Sequence, residues 1–384
     1  MKKNDAQGVS ARPVGRLLAL PMALAMIGVV PVAQAAPVSW VVSADGNWDT
    51  ATNWSSNPLL PAAADAVTIN VSGLRTITFD SSVSTIASLS SAENLIVSGG
   101  ALTVSGAFGN TAATTLSGGT LTLSGASNLS TLTHSGGTLD GSGVVTVAGA
   151  STWSGGSQTD AGSTSFNGPL TLSGGDGRIV TSRTVNFGGT TTWTNPSDST
   201  GYFYTGSGAT LANSGSFLDQ NAFDNFMFNA YGGADSTFVN SGSYIKSGAG
   251  TTDISIGFNN SGSLDVQTGT LRLGGGGSST GGSYTVASGA TVEFSGGTHT
   301  LTDIVSGGSG TGRLLASGGT VDSSGTLVFA GTIGVSGGGL FNFNGAASAA
   351  AFEQSGGTIG GTGSLSIAGA STWSGGSQTD AGST

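Results

Sequence analysis

SGGALTVSGAFGNTAATTLSGGTLTLSG, residues 98–125, decides the fold. Ser-Gly-Gly occurs in it twice, at Ser98 and Ser117. Each is followed by an alternating segment, Leu102-Thr103-Val104 and Leu121-Thr122-Leu123. Apolar residues at every second position mark a strand with one face inside. Thr and Val favour extended backbone, and Gly supplies the corner conformations. Outward from this stretch, Ser-Gly-Gly begins at Ser98, Ser117, Ser135, Ser154 and Ser173, at intervals of 19, 18, 19 and 19. It returns at Ser295, Ser317, Ser336, Ser355 and Ser374, at intervals of 22, 19, 19 and 19 (Ser306 starts one off the period). A period near 20 residues predicts a solenoid with one coil per repeat.

The expected fold is therefore all-β: a β-solenoid with coils of about 19–22 residues. Val145-Thr146-Val147, Leu170-Thr171-Leu172, Leu271-Arg272-Leu273 and Leu365-Ser366-Ile367 repeat the alternation, and no convincing helical period competes with it. The 349 residues after position 35, at 19 per coil, predict roughly 18 coils and a rod of about 85 Å. A second motif, apolar-x-Asn-Ser-Gly-Ser-apolar, appears around Asn213, Asn240 and Asn260. Asn accepts left-handed backbone and stacks in amide ladders, so a structural turn is the preferred reading over a row that reads sugar hydroxyls. A third repeat is larger: residues 148–164, AGASTWSGGSQTDAGST, recur unchanged as 368–384. No capping sequence follows the second copy, and solenoids need polar caps over their open ends, which predicts a chain truncated from a longer one.

Charged residues make up 8% of the chain and Gly numbers 69, yet 37% of residues are apolar and the mean hydropathy is +0.15. Disorder would require low hydrophobicity or high charge. Beyond residue 35 there are six basic and nineteen acidic residues, a net charge of −13, and one lysine, Lys246. Such a surface repels phosphate backbones, so nucleic acid is excluded as a partner. Cysteine is absent, consistent with export into an oxidising compartment.

Residues 1–35 carry the pattern of a secretory signal peptide. Lys2, Lys3, Arg12 and Arg16 precede an apolar run from Leu17 to Val30, and Ala33-Gln34-Ala35 supplies an A-x-A cleavage site. Pro21 and Pro31 and the short run argue against a transmembrane anchor. The expected division is a leader over 1–35, a Trp-rich capping segment over 36–70, and solenoid repeats over 71–384.

Trp40, then Asp45-Gly46-Asn47-Trp48-Asp49-Thr50-Ala51-Thr52-Asn53-Trp54, then Pro58, Pro61 and Asp65-Ala66-Val67-Thr68-Ile69 form the start of the region after the leader. This resembles the opening of passenger regions in autotransporter-type and filamentous-haemagglutinin-like bacterial surface proteins, which continue into glycine-rich β-strand repeats. The opening motif covers about 30 residues. The resemblance implies a right-handed parallel β-helix, export to the cell surface through an outer-membrane translocator (a downstream barrel or a separate pore), and a role in adhesion or aggregation, with glycans or proteins of host or sister cells as partners. The sequence departs from the pattern in having no C-terminal barrel. Trp40, Trp48 and Trp54 are expected to pack on the first coil, against the alternative of a carbohydrate-stacking site.

No catalytic, cofactor-binding or metal-ligating residue is assigned. His134 corresponds to Gln354 in the long repeat, and neither His134 nor His299 has a second ligand at metal spacing. Gly334–Gly338 fits G-x-S-x-G without a strand-to-helix elbow, and no Gly-Lys pair exists for a P-loop. Asp45, Asn47 and Asp49 have D-x-N-x-D spacing, but Thr50 and Ser56 do not continue an EF-hand, and Asp176 sits in a single shard of a calcium nonapeptide. The rival function is a polysaccharide lyase or hydrolase on the same scaffold, which needs paired carboxylates. Asp140, Asp160, Asp176, Asp198 and Asp219 are scattered along the sequence, where neighbouring coils can still bring two together, and Arg75, Arg178, Arg183, Lys246, Arg272 and Arg313 show no clustering beyond Arg178 and Arg183. A third possibility is a self-assembling matrix component. One stretch breaks the repeat: Phe217 to Phe238, with Phe223, Phe226, Met227, Phe228 and Tyr231, after Tyr202-Phe203-Tyr204. It is expected to be a wider coil with aromatics inside, the alternative being a protruding loop with exposed aromatics.

Overall fold

The computed structural model describes residues 36–195, 197, 201–306 and 310–380. The leader lies outside these residues. From Ala36 onward the chain winds into a parallel β-solenoid of about 15 turns. Through the middle of the stack each coil contributes three strands, and each strand pairs in parallel with the one three places on. Arg178–Thr181, Phe203–Gly206, Asn225–Phe228, Thr251–Ile254 and Thr270–Leu273 stack as one wall. Thr184–Phe187, Thr210–Asn213, Thr237–Asn240 and Gly257–Asn260 form the second. Thr190–Trp193, Ser216–Asp219, Ser243–Lys246, Ser263–Val266 and Ser283–Val286 form the third. The ladder begins at Ala36–Ser39, which pairs with Asp65–Ile69, which pairs in turn with Ser88–Ser91. The one helical element among the described residues is a 3₁₀ turn at Ala51–Asn53.

The alternation read from the sequence is what closes the core. Strand after strand is buried at its second and fourth positions, and the inward residues stack on their equivalents in the next coil. Val185, Leu211, Phe238 and Phe258 form one such column. An aromatic spine links the walls: Trp153, Phe203, Trp193 and Phe217 lie within 5.5–6.2 Å of one another in sequence, edge to face. Such pairs contribute about 0.5–1.5 kcal/mol beyond the area they bury.

The Ser-Gly-Gly period marks corners. At Gly119 φ is +63°, and an added Cβ would lie 2.5 Å from the Gly99 backbone in the coil below. Gly137 repeats this at φ +68°, 2.6 Å from Gly118. Only glycine meets both conditions, the left-handed backbone and the direct stacking of corner on corner. Replacing Gly119 with alanine is expected to lower stability by more than about 1 kcal/mol. Faster hydrogen exchange in the coils on either side of Gly119 would report it, with distant coils unchanged.

Most coils keep to the expected 19–22 residues, as from Ser263 to Ser283, 20 on, but some are longer: Thr184 pairs with Thr210, 26 residues on, and Thr210 with Thr237, 27 on, where the wider coil was expected. In the second of these coils the added residues sit at corners, 220–224 and 229–236, and leave the strands in register. Longer coils mean fewer of them, so the stack has about 15 turns rather than 18. At about 4.8 Å per turn that is an axial length near 70 Å. The asparagines are not turn residues. Asn213, Asn240 and Asn260 close their strands, none with positive φ, and their side chains point inward. The Asn213 amide donates to the Asn240 carbonyl oxygen at 2.7 Å, and Asn240 to Asn260 at 2.7 Å. Asn213 also donates to the Ser243 backbone carbonyl at 2.9 Å, and Asn240 to that of Ser263 at 3.0 Å. The amide ladder is therefore a core feature, and these asparagines are closed to a ligand.

Candidate functional site

The residues singled out in the sequence are mostly absorbed by the core. Trp40, Trp48 and Trp54 are buried, with Trp54 5.0 Å from Trp40 and 4.7 Å from Trp48, edge to face. Trp48 also meets Phe79 in the second coil at 5.7 Å. No indole face is left for a sugar. Arg178 is fully buried and donates to the backbone carbonyls of Trp153 and Ser173 at 2.9 and 2.6 Å. Arg183 is likewise buried, donating to Gly141 and Thr159 carbonyls at 2.8 and 2.9 Å and to the Thr164 hydroxyl. Burial lowers the pKa of both guanidiniums. Strand-end carbonyls hold these charges, and neither arginine faces solvent.

Asp140 and Asp160 both lie near the buried Arg183, and Asp49 and Asp80 each place an oxygen 2.9 Å from the Ser81 hydroxyl. Asp140 accepts a hydrogen bond from Thr159 at 2.7 Å, Asp160 from its neighbour's amide at Ala161, and Asp219 is buried. Asp198 lies outside the described residues. The Asp49 carboxylate accepts from Ser81, and Asp45 accepts from the Thr76 amide. Among the described residues no group of three His, Asp or Glu side chains is placed to hold a metal. Ser336 follows the long strand Thr320–Val335, with no helix after it.

His134 is buried and its ring stacks on Trp153, 5.7 Å away and 4° from parallel. Burial pushes its pKa down to about 4, with the backbone at Gly137 and Gly136 opposing the shift. The unfolded chain, with an ordinary value near 6.5, then takes up a proton before the folded chain does. Stability is expected to be intact above about pH 6.5 and to fall by about 3 kcal/mol as pH drops toward 4. Gln354 occupies the equivalent place in the second copy, paired with Trp373 as His134 is with Trp153. His134→Gln is therefore expected to flatten the loss between pH 6.5 and 4. Urea midpoints measured across that range, compared between wild type and variant, check it.

The aromatic segment divides between inside and outside. Phe217, Met227 and Phe238 are fully buried, as the wide-coil reading expected. Phe226 and Phe228 alternate with Met227 and so face outward on Asn225–Phe228. On the preceding coil Tyr202 and Tyr204 flank the buried Phe203. The rings meet across the coil boundary: Tyr202 and Phe226 lie 4.9 Å apart, and Tyr204 and Phe228 5.0 Å, each pair at 71°. Phe223 and Tyr231 stand at the adjoining corners, 39% and 54% exposed.

Two glycines seat these rings. A Cβ on Gly177 would lie 2.1 Å from the Tyr204 ring, so Tyr204 lies close against the backbone of the coil below. A Cβ on Gly206 would lie 2.6 Å from that of Tyr231. The same outward row continues as polar side chains. Phe226 pairs in register with Asp253, Asp253 with Arg272, and Arg272 with Glu293. Arg272 bridges its neighbours, 3.7 Å from Asp253 and 3.0 Å from Glu293. One wall thus carries an aromatic face two coils high that runs into a row of charged groups. No protein-family model, curated protein or solved structure matches the chain.

The sequence pointed to Tyr202, Tyr204 and the 217–238 segment but could not divide inside from outside. The signal was the alternation within Asn225-Phe226-Met227-Phe228, where the smaller amide and the flexible Met take the inward places. Gly177 and Gly206 carried no signal of their own in a chain with 69 glycines.

Proposed function

We propose that this chain is an exported cell-surface passenger, an adhesin or structural rod that acts through the outer face of its solenoid and performs no catalysis. The observation that carries the reading is the outward aromatic wall on a coil stack whose interior is filled by its own side chains. Tyr202, Tyr204, Phe226 and Phe228 are half-buried, and outward apolar rings gathered in one patch are a feature of contact surfaces. The leader-like residues 1–35 and the Trp-rich opening agree with a passenger of the autotransporter or filamentous-haemagglutinin kind, delivered through an outer-membrane translocator. Its partners would be glycans or proteins on host or sister cells.

The test is to express the full chain, fused to a translocator, in a non-adherent Gram-negative host. Removal by an external protease that does not need lysine or arginine, and new cell-to-cell or cell-to-surface attachment, are expected. Intracellular retention, or surface display without attachment, would overturn the reading. The competing function, cleavage of an acidic polysaccharide, would be established by new reducing ends whose release one Asp substitution abolishes.

A further inference from the structure

The adhesive reading leaves the ligand open, and the wall at Tyr202, Tyr204, Phe226 and Phe228 narrows it. We infer that this wall is a binding site for a neutral, linear oligosaccharide laid along the solenoid axis. The inference deepens the adhesive reading and rests on it.

Three observations carry it. First, the rings belong to a built surface. Gly177 lets Tyr204 lie against the backbone, and Phe228 stands at 71° beside it, as Phe226 does beside Tyr202. A floor and a wall of aromatic carbon fit the apolar C–H face of a sugar ring and shield it from water. Second, the row leads directly into hydrogen-bonding groups. Beyond Phe226 come Asp253, Arg272 and Glu293 at successive coils, spaced by about 4.8 Å. A chain of pyranose units has hydroxyls at a comparable repeat, so one ligand can stack at one end and be hydrogen-bonded along the rest. Third, the charge selects among ligands. Beyond residue 35 the chain carries a net −13, and Asp253 lies beside Phe226 in register. Anionic glycans, nucleic acid and anionic lipid are repelled, whereas a neutral sugar is not. A protein partner would be expected to meet a broader apolar area than two coils supply.

The experiment uses the full chain and neutral hexose oligomers of six units (α- and β-linked glucans and galactans), with polygalacturonate as the acidic comparison. Binding is read by calorimetry and by ligand-observed saturation-transfer NMR. Saturable binding of at least one neutral oligomer, and none of polygalacturonate, is expected. Tyr204→Ala with Phe226→Ala should weaken it at least tenfold, while Trp373→Ala, an exposed ring elsewhere on the molecule, should leave it unchanged. Unaltered far-ultraviolet dichroism guards against misfolding, and Tyr204→Phe should retain binding if stacking is the main contact. Preference for the acidic polymer, or equal binding by the double variant, would overturn the inference. So would concentration-dependent self-association that the double variant abolishes without any sugar bound, since the wall would then serve a second copy of the chain. Attachment of displaying cells that survives the double substitution sinks this site alone. Sugar binding without attachment sinks the adhesive reading alone.

Discussion

Replacing Trp153 with alanine is expected to destabilise its part of the stack by about 3–5 kcal/mol, while the same change at Trp373 costs less than about 1 kcal/mol. Both tryptophans sit in the identical segment AGASTWSGGSQTDAGST, 220 positions apart. Local sequence is thus held constant and only packing differs. Trp153 is fully buried, between His134 on one side and Phe203 on the other, and its indole N–H donates to the Gly155 carbonyl at 3.1 Å. Trp373 is 62% exposed. Each coil touches only its neighbours, so the loss at Trp153 should appear as faster hydrogen exchange over a few coils around it before the whole chain unfolds. Peptide-level exchange with mass detection resolves this. Equal effects at the two sites would mean that the coil above Trp153 does not pack as described.

The second large effect concerns the chain's only lysine beyond the leader. Lys246 and Asp219 are both fully buried, one coil apart in register, with the ammonium nitrogen 3.7 Å from the carboxylate. The carboxylate also accepts from the Tyr244 hydroxyl at 3.0 Å, Thr252 at 2.5 Å and the Asn221 side chain at 2.8 Å. The Lys246 ammonium also donates to the Thr252 hydroxyl at 3.1 Å, closer than its 3.7 Å from the acid. Burial lowers the Lys246 pKa, and Asp219 opposes that shift. Burial, reinforced by the charge of Asp219, raises the Tyr244 pKa well above its ordinary value, so the phenol stays a donor. Removing the acid alone, Asp219→Leu, is expected to cost about 3–5 kcal/mol, because it strands a buried ammonium and the donors around it. Lys246→Met should cost less, since three neutral donors still surround the carboxylate. The double variant should recover most of the loss, as replacing a buried pair with apolar side chains is often neutral or stabilising by about 1–4 kcal/mol. A double-mutant cycle on urea midpoints measures the coupling; additive losses would show that the two charges do not interact.

How much of this could be read beforehand varies with the kind of residue. The coils followed from the Ser-Gly-Gly spacing, because a corner that must stack on itself tolerates few other residues. The inward face followed from alternation at Leu102-Thr103-Val104 and its equivalents. The Asp219–Lys246 pair was within reach. Asn213-Ser214-Gly215-Ser216-Phe217-Leu218-Asp219 aligns with Asn240-Ser241-Gly242-Ser243-Tyr244-Ile245-Lys246, which puts Asp219 and Lys246 at the same inward place. Charge argued for the outside, and the repeat position was the better guide. The lengthened coil over 217–238 was legible as a break in the repeat; what stayed hidden was that its extra residues sit at the corners 220–224 and 229–236 and leave the strands in register. The aromatic wall was half legible: its residues stood out, while the glycines that seat them are indistinguishable by sequence from those that turn corners.

Digestive proteases that cleave after lysine or arginine will find few footholds on this molecule. Of the six basic residues beyond position 35, Arg178, Arg183 and Lys246 are wholly enclosed, leaving Arg75, Arg272 and Arg313. Arg272 is further tied to two carboxylates. A chain exposed to trypsin-like enzymes outside the cell would keep most of its length intact, through where the fold hides its cations as much as through how few it has.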